Sequence, residues 1–223
     1  MFSPDSTNSL KTNLATFMIA FVYPREAAYW RELASSGVIT NHDGQTFALN
    51  KLQRYSCIRR LAMWGHEYVD LLAAEFATNY SDSDEHAKLR IEASDTSLES
   101  KQALWDSYLV PDRWKQSYFA SSVSNLLNFH ERDDCLHFIQ QFFDKVEYVE
   151  ENFHRDYFGV WFSNLSPGNL RRRTDLDKMR VLLAKYEATD KTFFVKKLKN
   201  EINHIEYLIS IARSNGISSD DTE

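Results

Sequence analysis

Glycine and proline are scarce in this sequence, with six glycines and four prolines among 223 residues. Because tight turns and phosphate-binding loops depend on glycine, an all-β sandwich and a nucleotide-binding α/β fold are both disfavoured. A chain with so few turn-forming residues is expected to consist of long helices and short connections. The aromatic share is high, at 14 %, which favours a large hydrophobic core.

Cysteine is rarer still, since only Cys57 and Cys135 occur. Two cysteines exclude a disulfide-rich scaffold and a cysteine-based zinc site. The residues after Met1 contain no basic segment ahead of an apolar run, and the apolar stretch Leu14–Tyr23, of about 10 residues, is too short to cross a bilayer. We therefore expect a cytoplasmic protein without a membrane partner.

The charge balance is acidic. The chain has 26 Lys and Arg against 32 Asp and Glu, which gives a net charge of −6. A negative surface repels a phosphate backbone, so nucleic acid is not an expected partner.

Apolar residues recur at helical spacing along almost the whole chain, and no segment alternates between apolar and polar residues over a useful length. Loops are expected at Ser35–Thr46 and Asn79–His86, and a turn at Leu165–Asn169. The pattern predicts an all-α fold: an irregular array of antiparallel helix pairs, similar to a HEAT solenoid, with about ten helices. A four-helix bundle with longer helices is the alternative. The last apolar stripe consists of Phe194, Leu198, Ile202, Ile205, Leu208 and Ile211.

The motifs of common catalytic sites are missing. His66-Glu67 and His130-Glu131 each begin like a zinc-binding HExxH helix, but Asp70 and Asp134 stand where the second histidine is needed. The sequence also has no G-x-S-x-G, P-loop or G-x-G-x-x-G motif. We expect no catalytic residue and no metal ligand; an enzyme site built from dispersed histidines and acidic residues is a weaker alternative.

Neither cysteine has the surroundings of a reactive thiolate. Cys57 lies on an apolar helix face, which is typical of a small core residue. Cys135 follows Asp133-Asp134, whose charges would raise the pKa of its thiol. The two aspartates are neighbours in sequence and would not face each other on a helix, so they are not predicted to be a catalytic pair.

Three consecutive arginines, Arg171, Arg172 and Arg173, follow the turn and precede a helical segment. Guanidinium groups bind carboxylates in a bidentate manner, so these residues are candidates for binding a peptide carboxylate, such as a C-terminus. The alternative is a solvated loop, or pairing with the acidic residues of the chain.

Four features between Ala87 and Gly216 are similar to features of one known family. They are Ala87–Leu109, where Lys101 and Trp105 form a K-x-x-x-W pattern; Trp114–Glu151, with the aromatic pair Phe142-Phe143; the turn Phe162–Asn169, with Pro167; and the final helix Phe193–Ala212. In these features the chain resembles the C-terminal helical domain of aminopeptidase N-type zinc metallopeptidases, also described as the endoplasmic-reticulum-aminopeptidase-like C-terminal domain.

The resemblance implies a domain boundary near residue 87. Residues 1–86 would be N-terminal helices of the array, residues 87–216 the family-like helices and residues 217–223 a disordered tail. The family's HExxH helix, its downstream glutamate ligand and its G-x-M-E-N motif are not in this chain, so no catalytic residue is transferred. The implied role is that of a non-catalytic domain or truncated fragment that caps the catalytic domain and helps to enclose peptide substrate.

Cofactor and partners follow from the same resemblance. Zinc would be bound by the catalytic domain of the parent enzyme and not by this chain, which is expected to be inactive alone. The expected partners are that catalytic domain, or another protein, and peptide. The alternative is a stand-alone helical-repeat adaptor or an immunity-type protein, because the acidic charge suits a basic partner.

Overall fold

The computed structural model describes residues 27–40, 44, 46–78, 80–127, 132–170 and 172–215. Predictions made for Leu14–Tyr23, His130-Glu131 and the tail 217–223 concern residues outside these ranges. The described residues form ten α-helices, one short 3-10 helix and one two-stranded hairpin, so the all-α class is confirmed. In chain order the elements are α1 (Ala27–Ser36), β1 (Val38–Thr40), β2 (Thr46–Ala48), α2 (Lys51–Met63), α3 (Val69–Phe76), α4 (Asp82–Ala93), α5 (Leu98–Tyr108), α6 (Gln116–Val123), α7 (Arg132–Asn152), α8 (Arg155–Leu165), the 3-10 helix Pro167–Leu170, α9 (Arg173–Tyr186) and α10 (Thr192–Ser214).

The described chain divides into two compact units. Unit 1 comprises the described residues up to Tyr108 together with Ser117–Leu126, and unit 2 comprises Leu109–Gln116 and the described residues from Leu127 onward. The boundary expected near residue 87 falls within α4, and the division into N-terminal and family-like helices stays a prediction. None of the described helices combines the length and apolarity that a transmembrane span requires.

The core of unit 1 forms where α1 and α4 pack on α2. Trp30 and Leu33 of α1, Ile58 and Leu61 of α2 and Ile91 of α4 are all buried. These residues are spaced by three on α1 and α2, which is why each helix turns one apolar stripe inward.

The expected loop at Ser35–Thr46 contains the end of α1, the strand β1 and the first residue of β2, so that prediction is wrong in part. Strands β1 and β2 pair antiparallel, with Ile39 opposite Phe47. Gly37 has φ +64°, and its carbonyl accepts a hydrogen bond from the Leu49 amide at 2.7 Å, just beyond the paired strands. Strands of three residues are too short to show an alternating pattern in the sequence.

The expected loop at Asn79–His86 is also wrong, because α4 begins at Asp82. The Ser81 amide donates to Asp84 Oδ2 at 2.7 Å, and Asp84 thereby occupies one side of a capping box. Acidic residues in the first turn interact favourably with the positive end of the helix dipole. The polar, acidic composition that suggested a loop is therefore the start signal of a helix.

Unit 1 also includes α6, which returns to pack beside α5. The hydroxyl groups of Tyr108 and Ser122 are 2.6 Å apart and buried. The Tyr108 ring meets Phe119 edge-on, with 5.3 Å between ring centroids. Residues 117–126 thus complete a core that the preceding helices begin.

The core of unit 2 is aromatic. Phe142 of α7 stacks on Trp161 of α8, with ring centroids 5.0 Å apart. Phe158 and Phe162 of α8 contact Phe194 of α10 edge-on or nearly so. The apolar stripe predicted for the last helix is confirmed at Phe194, Leu198, Ile202 and Ile205, which are buried. It is wrong at its end, where Leu208 is half-buried and Ile211 exposed, and Ile209 and Ala212 are buried instead.

Candidate functional site

The sequence-predicted cationic site lies at the start of α9, and its three arginines have different environments. Arg171 lies outside the described residues. Arg172 is the N-cap of α9, and its Nε lies 3.5 Å from Asp175 Oδ2. Arg172 Nη2 also donates to Thr174 Oγ1 at 3.1 Å. Arg172 therefore takes the alternative anticipated from the sequence, which is pairing with an acidic residue of the chain.

Asp175 is a buried carboxylate, and few interactions offset the cost of burying its charge. It is 1 % exposed, and neither of its carboxylate oxygens accepts a hydrogen bond from a described residue. Burial raises the pKa of the Asp175 carboxyl, although the charges of Arg172 and Lys178 oppose that rise. The Arg172–Asp175 contact consequently belongs to the framework of the helix start and not to a ligand site.

Arg173 faces a groove between α9 and α10, hereafter the α9–α10 groove. This groove has a volume of about 440 Å³. Its charged side chains are three arginines and two acids, and its apolar side chains are Leu176 and Ile209. The lining consists of Arg173, Leu176, Asp177, Arg180, Glu206, Ile209, Ser210 and Arg213.

The two acids of the groove are both engaged by Arg180. Its Nη2 lies 2.7 Å from Glu206 Oε1, and its Nη1 lies 3.2 Å from Asp177 Oδ1. These carboxylates raise the pKa of the Arg180 guanidinium, and the hydrogen bond to Glu206 is the largest cause. All three side chains are exposed, so the pairs are screened and each contributes little to stability.

The same ion pair fixes the register of the two helices. Arg180 pairs with Glu206, and two turns further along the hairpin Glu187 pairs with Lys199 at 2.6 Å. Two turns in the other direction, this antiparallel register places Arg173 opposite Arg213. The register thus runs through two pairs of opposite charge and ends in a pair of like charge.

Arg173 and Arg213 have no carboxylate within 4 Å among the residues that the structure describes. Two exposed guanidiniums at one end of a groove repel each other and attract anions. Beside the apolar Leu176 and Ile209, they form a site suited to a carboxylate attached to an organic body.

Sequence reasoning identified Arg173 but missed Arg213. The two residues are far apart in sequence, and Arg213 lies in an ordinary position near a helix end, where basic residues are common. The available signal was the heptad spacing of Arg173, Arg180 and Glu187, mirrored by Lys199, Glu206 and Arg213. Recognising it would have required knowing that α9 and α10 pair in an antiparallel manner.

A second polar cluster, in unit 1, has the residue types of a serine hydrolase triad. His86 Nδ1 lies 2.8 Å from Ser121 Oγ, and His86 Nε2 lies 3.3 Å from Asp82 Oδ2. Ser121 is only 6 % exposed, so a substrate carbonyl has no approach to its hydroxyl. Asp82 is instead open to solvent and accepts a hydrogen bond from the Tyr118 hydroxyl at 2.6 Å. The cluster joins α4 to α6 and supports a structural role.

The histidine that resembled the start of a zinc motif, His66, lies between α2 and α3. Gly65 before it has φ +68°, and the His66 amide donates to the Leu61 carbonyl at 2.9 Å, which ends α2. Asp70, in the place of the second histidine, binds Arg31, and that hydrogen bond lowers the pKa of the Asp70 carboxyl. Across the described parts of the chain, no three His, Cys, Asp or Glu side chains are grouped so that they could hold a metal ion.

Cys57 is buried in the core of unit 1, as its apolar helix face predicts. Burial raises the pKa of its thiol to about 12. A thiol with such a pKa is neutral at physiological pH and is not a nucleophile.

Comparison with protein-family models gives no match for this chain, and comparison with curated proteins gives none either.

Proposed function

We propose that this chain is a non-catalytic, helical peptide-binding domain whose α9–α10 groove holds a carboxylate of the peptide. The observation that carries the proposal is the like-charge pair formed by Arg173 and Arg213. The other two positions of the same helix register are pairs of opposite charge. An incoming carboxylate removes the repulsion between the two guanidiniums and gains charge-assisted hydrogen bonds from both.

The exposure of the two arginines limits the affinity that we expect for a peptide. Ion pairs at exposed positions each contribute less than about 1 kcal/mol, and the small groove adds limited apolar contact. We expect dissociation constants of about 1 mM for short peptides, and these should increase as ionic strength rises because salt screens the ion pairs. Such weak, general recognition suits a domain that guides or encloses many peptides.

The resemblance to aminopeptidase C-terminal domains gives this binding a context. In that context the chain would cap a separate catalytic domain, which would hold the zinc, and would help to enclose peptide substrate. Two features support this context: an all-α fold and a cationic groove of the sequence-predicted kind. The purified chain should then release no fluorophore from aminoacyl-coumarin substrates, and chelator-sensitive hydrolysis would contradict the proposal.

A second candidate is an adaptor that binds a basic protein. It is favoured by another groove, of about 710 Å³ in unit 1, which is lined by Glu67, Asp70, Asp95 and the exposed Val69. Asp70 and Asp95 already bind Arg31 and Tyr68. This groove therefore offers fewer free charges than the α9–α10 groove, and we place the candidate second.

The decisive experiment compares peptides that differ only in a free or amidated C-terminus, with binding followed by fluorescence anisotropy. The free-acid peptide should bind more tightly, and the Arg213→Gln variant should lose that difference. Arg113→Gln, which changes an exposed arginine outside the groove, is the matched control and should leave binding unchanged.

A charge reversal separates binding from folding. Arg213→Glu would pair with Arg173 and give the register a third pair of opposite charge, while its carboxylate in the last turn of α10 is disfavoured by the helix dipole. The free energy of unfolding should therefore stay within about 1 kcal/mol of the parent value. The variant should nevertheless lose the preference for a free C-terminus. Equal binding of free-acid and amidated peptides to the parent chain would refute the proposal.

A further inference from the structure

A second cationic cavity lies in unit 1, hereafter the α2–α4 cleft. It has a volume of about 460 Å³, within the range of small-ligand sites. Its walls are α2, α4 and the turn after α6. The residues that matter are Leu52, Tyr55, Arg59, Arg90, Ser124 and Asn125. Its described lining contains two guanidiniums and no carboxylate.

Arg59 is held in the cleft by a neutral partner. Its Nη1 donates to Asn125 Oδ1 at 2.6 Å. The Arg59 side chain is partly buried, and burial is the largest cause of a lowered pKa at its guanidinium; the like charges of Arg60 and Arg90 lower it further. The remaining N–H groups of Arg59 are donors that this bond does not use.

Arg54, on the same helix, shows the contrasting arrangement. It forms a bidentate pair with Glu75, with Nε 2.5 Å from Oε1 and Nη2 3.0 Å from Oε2. Within the described part of the chain, Arg59 and Arg90 have no carboxylate within 4 Å. Helix α2 therefore carries Arg54, which pairs with a carboxylate of the chain, and Arg59, which has the positively charged Arg90 near it.

This arrangement is costly in a chain with more acidic than basic residues. Arg59 is partly buried, so less water screens its repulsion with the exposed Arg90 than would screen two exposed charges. A structural role would be served equally well by a neutral side chain donating to Asn125. An anion in the cleft, by contrast, would relieve the repulsion and satisfy donors on both arginines.

We propose that the α2–α4 cleft binds a phosphate monoester, with Arg59 and Arg90 sharing its dianionic phosphoryl group. Two guanidiniums match the double charge and the three terminal oxygens of a phosphoryl group. Ser124 adds a hydroxyl, and Leu52 and Tyr55 offer apolar contact for the organic part of the ligand. The site is in the other unit from the α9–α10 groove and does not depend on the peptide-binding proposal.

The chemistry allows two sources of the phosphoryl group, a small phosphorylated molecule or a phosphorylated side chain of a partner protein. Isothermal titration calorimetry with inorganic phosphate, O-phosphoserine and a phosphoserine peptide distinguishes them. Equal affinity for O-phosphoserine and the peptide indicates the small molecule, and tighter binding of the peptide indicates the protein. Either result supports the proposal.

The variants test the two arginines separately. Arg90 is exposed, so Arg90→Gln should fold normally and bind O-phosphoserine about 10-fold more weakly. Arg59→Lys keeps the positive charge but loses the planar guanidinium, whose several N–H groups can donate to Asn125 and to the ligand at once. This variant should also bind O-phosphoserine more weakly. Arg113→Gln, in the other unit, is the matched control and should bind like the parent.

Three outcomes would overturn the proposal. They are the absence of O-phosphoserine binding at millimolar concentration, unchanged binding in Arg90→Gln, and equal or tighter binding of succinate, a dicarboxylate of the same charge. Tighter binding of an oligonucleotide without terminal phosphates, if Arg90→Gln abolished it, would likewise reject a phosphate monoester as the ligand.

Discussion

Replacing Asp175 with asparagine should stabilise the protein at neutral pH. The carboxylate is 1 % exposed, accepts no hydrogen bond from a described residue and has only the Arg172 guanidinium, 3.5 Å away, to offset its burial. Buried polar groups without hydrogen bonds cost about 1–3 kcal/mol, and charged groups cost more than neutral ones. We therefore expect Asp175→Asn to raise the free energy of unfolding by about 1 kcal/mol at pH 7.5.

The pH dependence gives this prediction its sign. Burial raises the pKa of Asp175 above its ordinary value of 3.8 in the folded state. The folded protein then binds the proton more tightly than the unfolded chain, so this contribution to stability is fully present below pH 3.8 and is lost as pH rises through the folded-state pKa. The advantage of Asp175→Asn should accordingly be smallest in acid and should grow towards neutral pH.

Urea denaturation followed by circular dichroism, at a series of pH values, measures this difference. Asp177→Asn is the matched control, because Asp177 lies two residues away on the same helix and its side chain is exposed. It should change the free energy of unfolding by less than about 0.5 kcal/mol at any pH. A loss of stability in Asp175→Asn at pH 7.5 would refute the reasoning, because attraction to Arg172 would then outweigh the cost of burial.

Three further changes test the packing. Trp161→Ala removes a fully buried ring from the aromatic core of unit 2 and should lower the free energy of unfolding by about 3–5 kcal/mol in urea denaturation; a loss below about 1 kcal/mol would contradict that core. Gly65→Ala should lower it by about 1–2 kcal/mol because φ is +68° and the new Cβ would lie 3.0 Å from a neighbouring hydroxyl. Gly44→Ala is its control, since φ is also positive but the space is open, and thermal denaturation should show the smaller loss for Gly44→Ala. Ser122→Ala removes the hydroxyl that lies 2.6 Å from the buried Tyr108 hydroxyl and should lower the free energy of unfolding by about 0.5–1.5 kcal/mol. In a double-mutant cycle with Tyr108→Phe the two losses should not add, and strict additivity would argue against the hydrogen bond.

Much of the fold could be predicted because the helices bury regular apolar stripes. The stripe of α10 recurs every three or four residues, and Phe194, Leu198, Ile202 and Ile205 are buried as expected. Prediction failed where local chemistry mattered more than periodicity. The start of α4 has the acidic composition of a solvated loop, but one of its acidic residues caps the helix.

The candidate sites were harder to predict, since each depends on residues that only the fold brings together. The triple-arginine motif indicated Arg173, but Arg213 joins it through the register of α9 and α10. Arg59 and Arg90 lie on different helices and have no motif around them. What distinguishes them is that no carboxylate of the described residues lies within 4 Å of either guanidinium, and a sequence does not show which charges are neutralised.

Unit 1 is built from two separate segments of the chain, and this has a consequence for folding during translation. The ribosome releases Tyr108 before Phe119 and Ser122, yet all three belong to one buried cluster. A nascent chain that has emerged only as far as α5 therefore exposes apolar surface that α6 later covers. Leu109–Gln116, which belong to the other unit, must be made in between, so unit 1 matures only after translation has passed into unit 2.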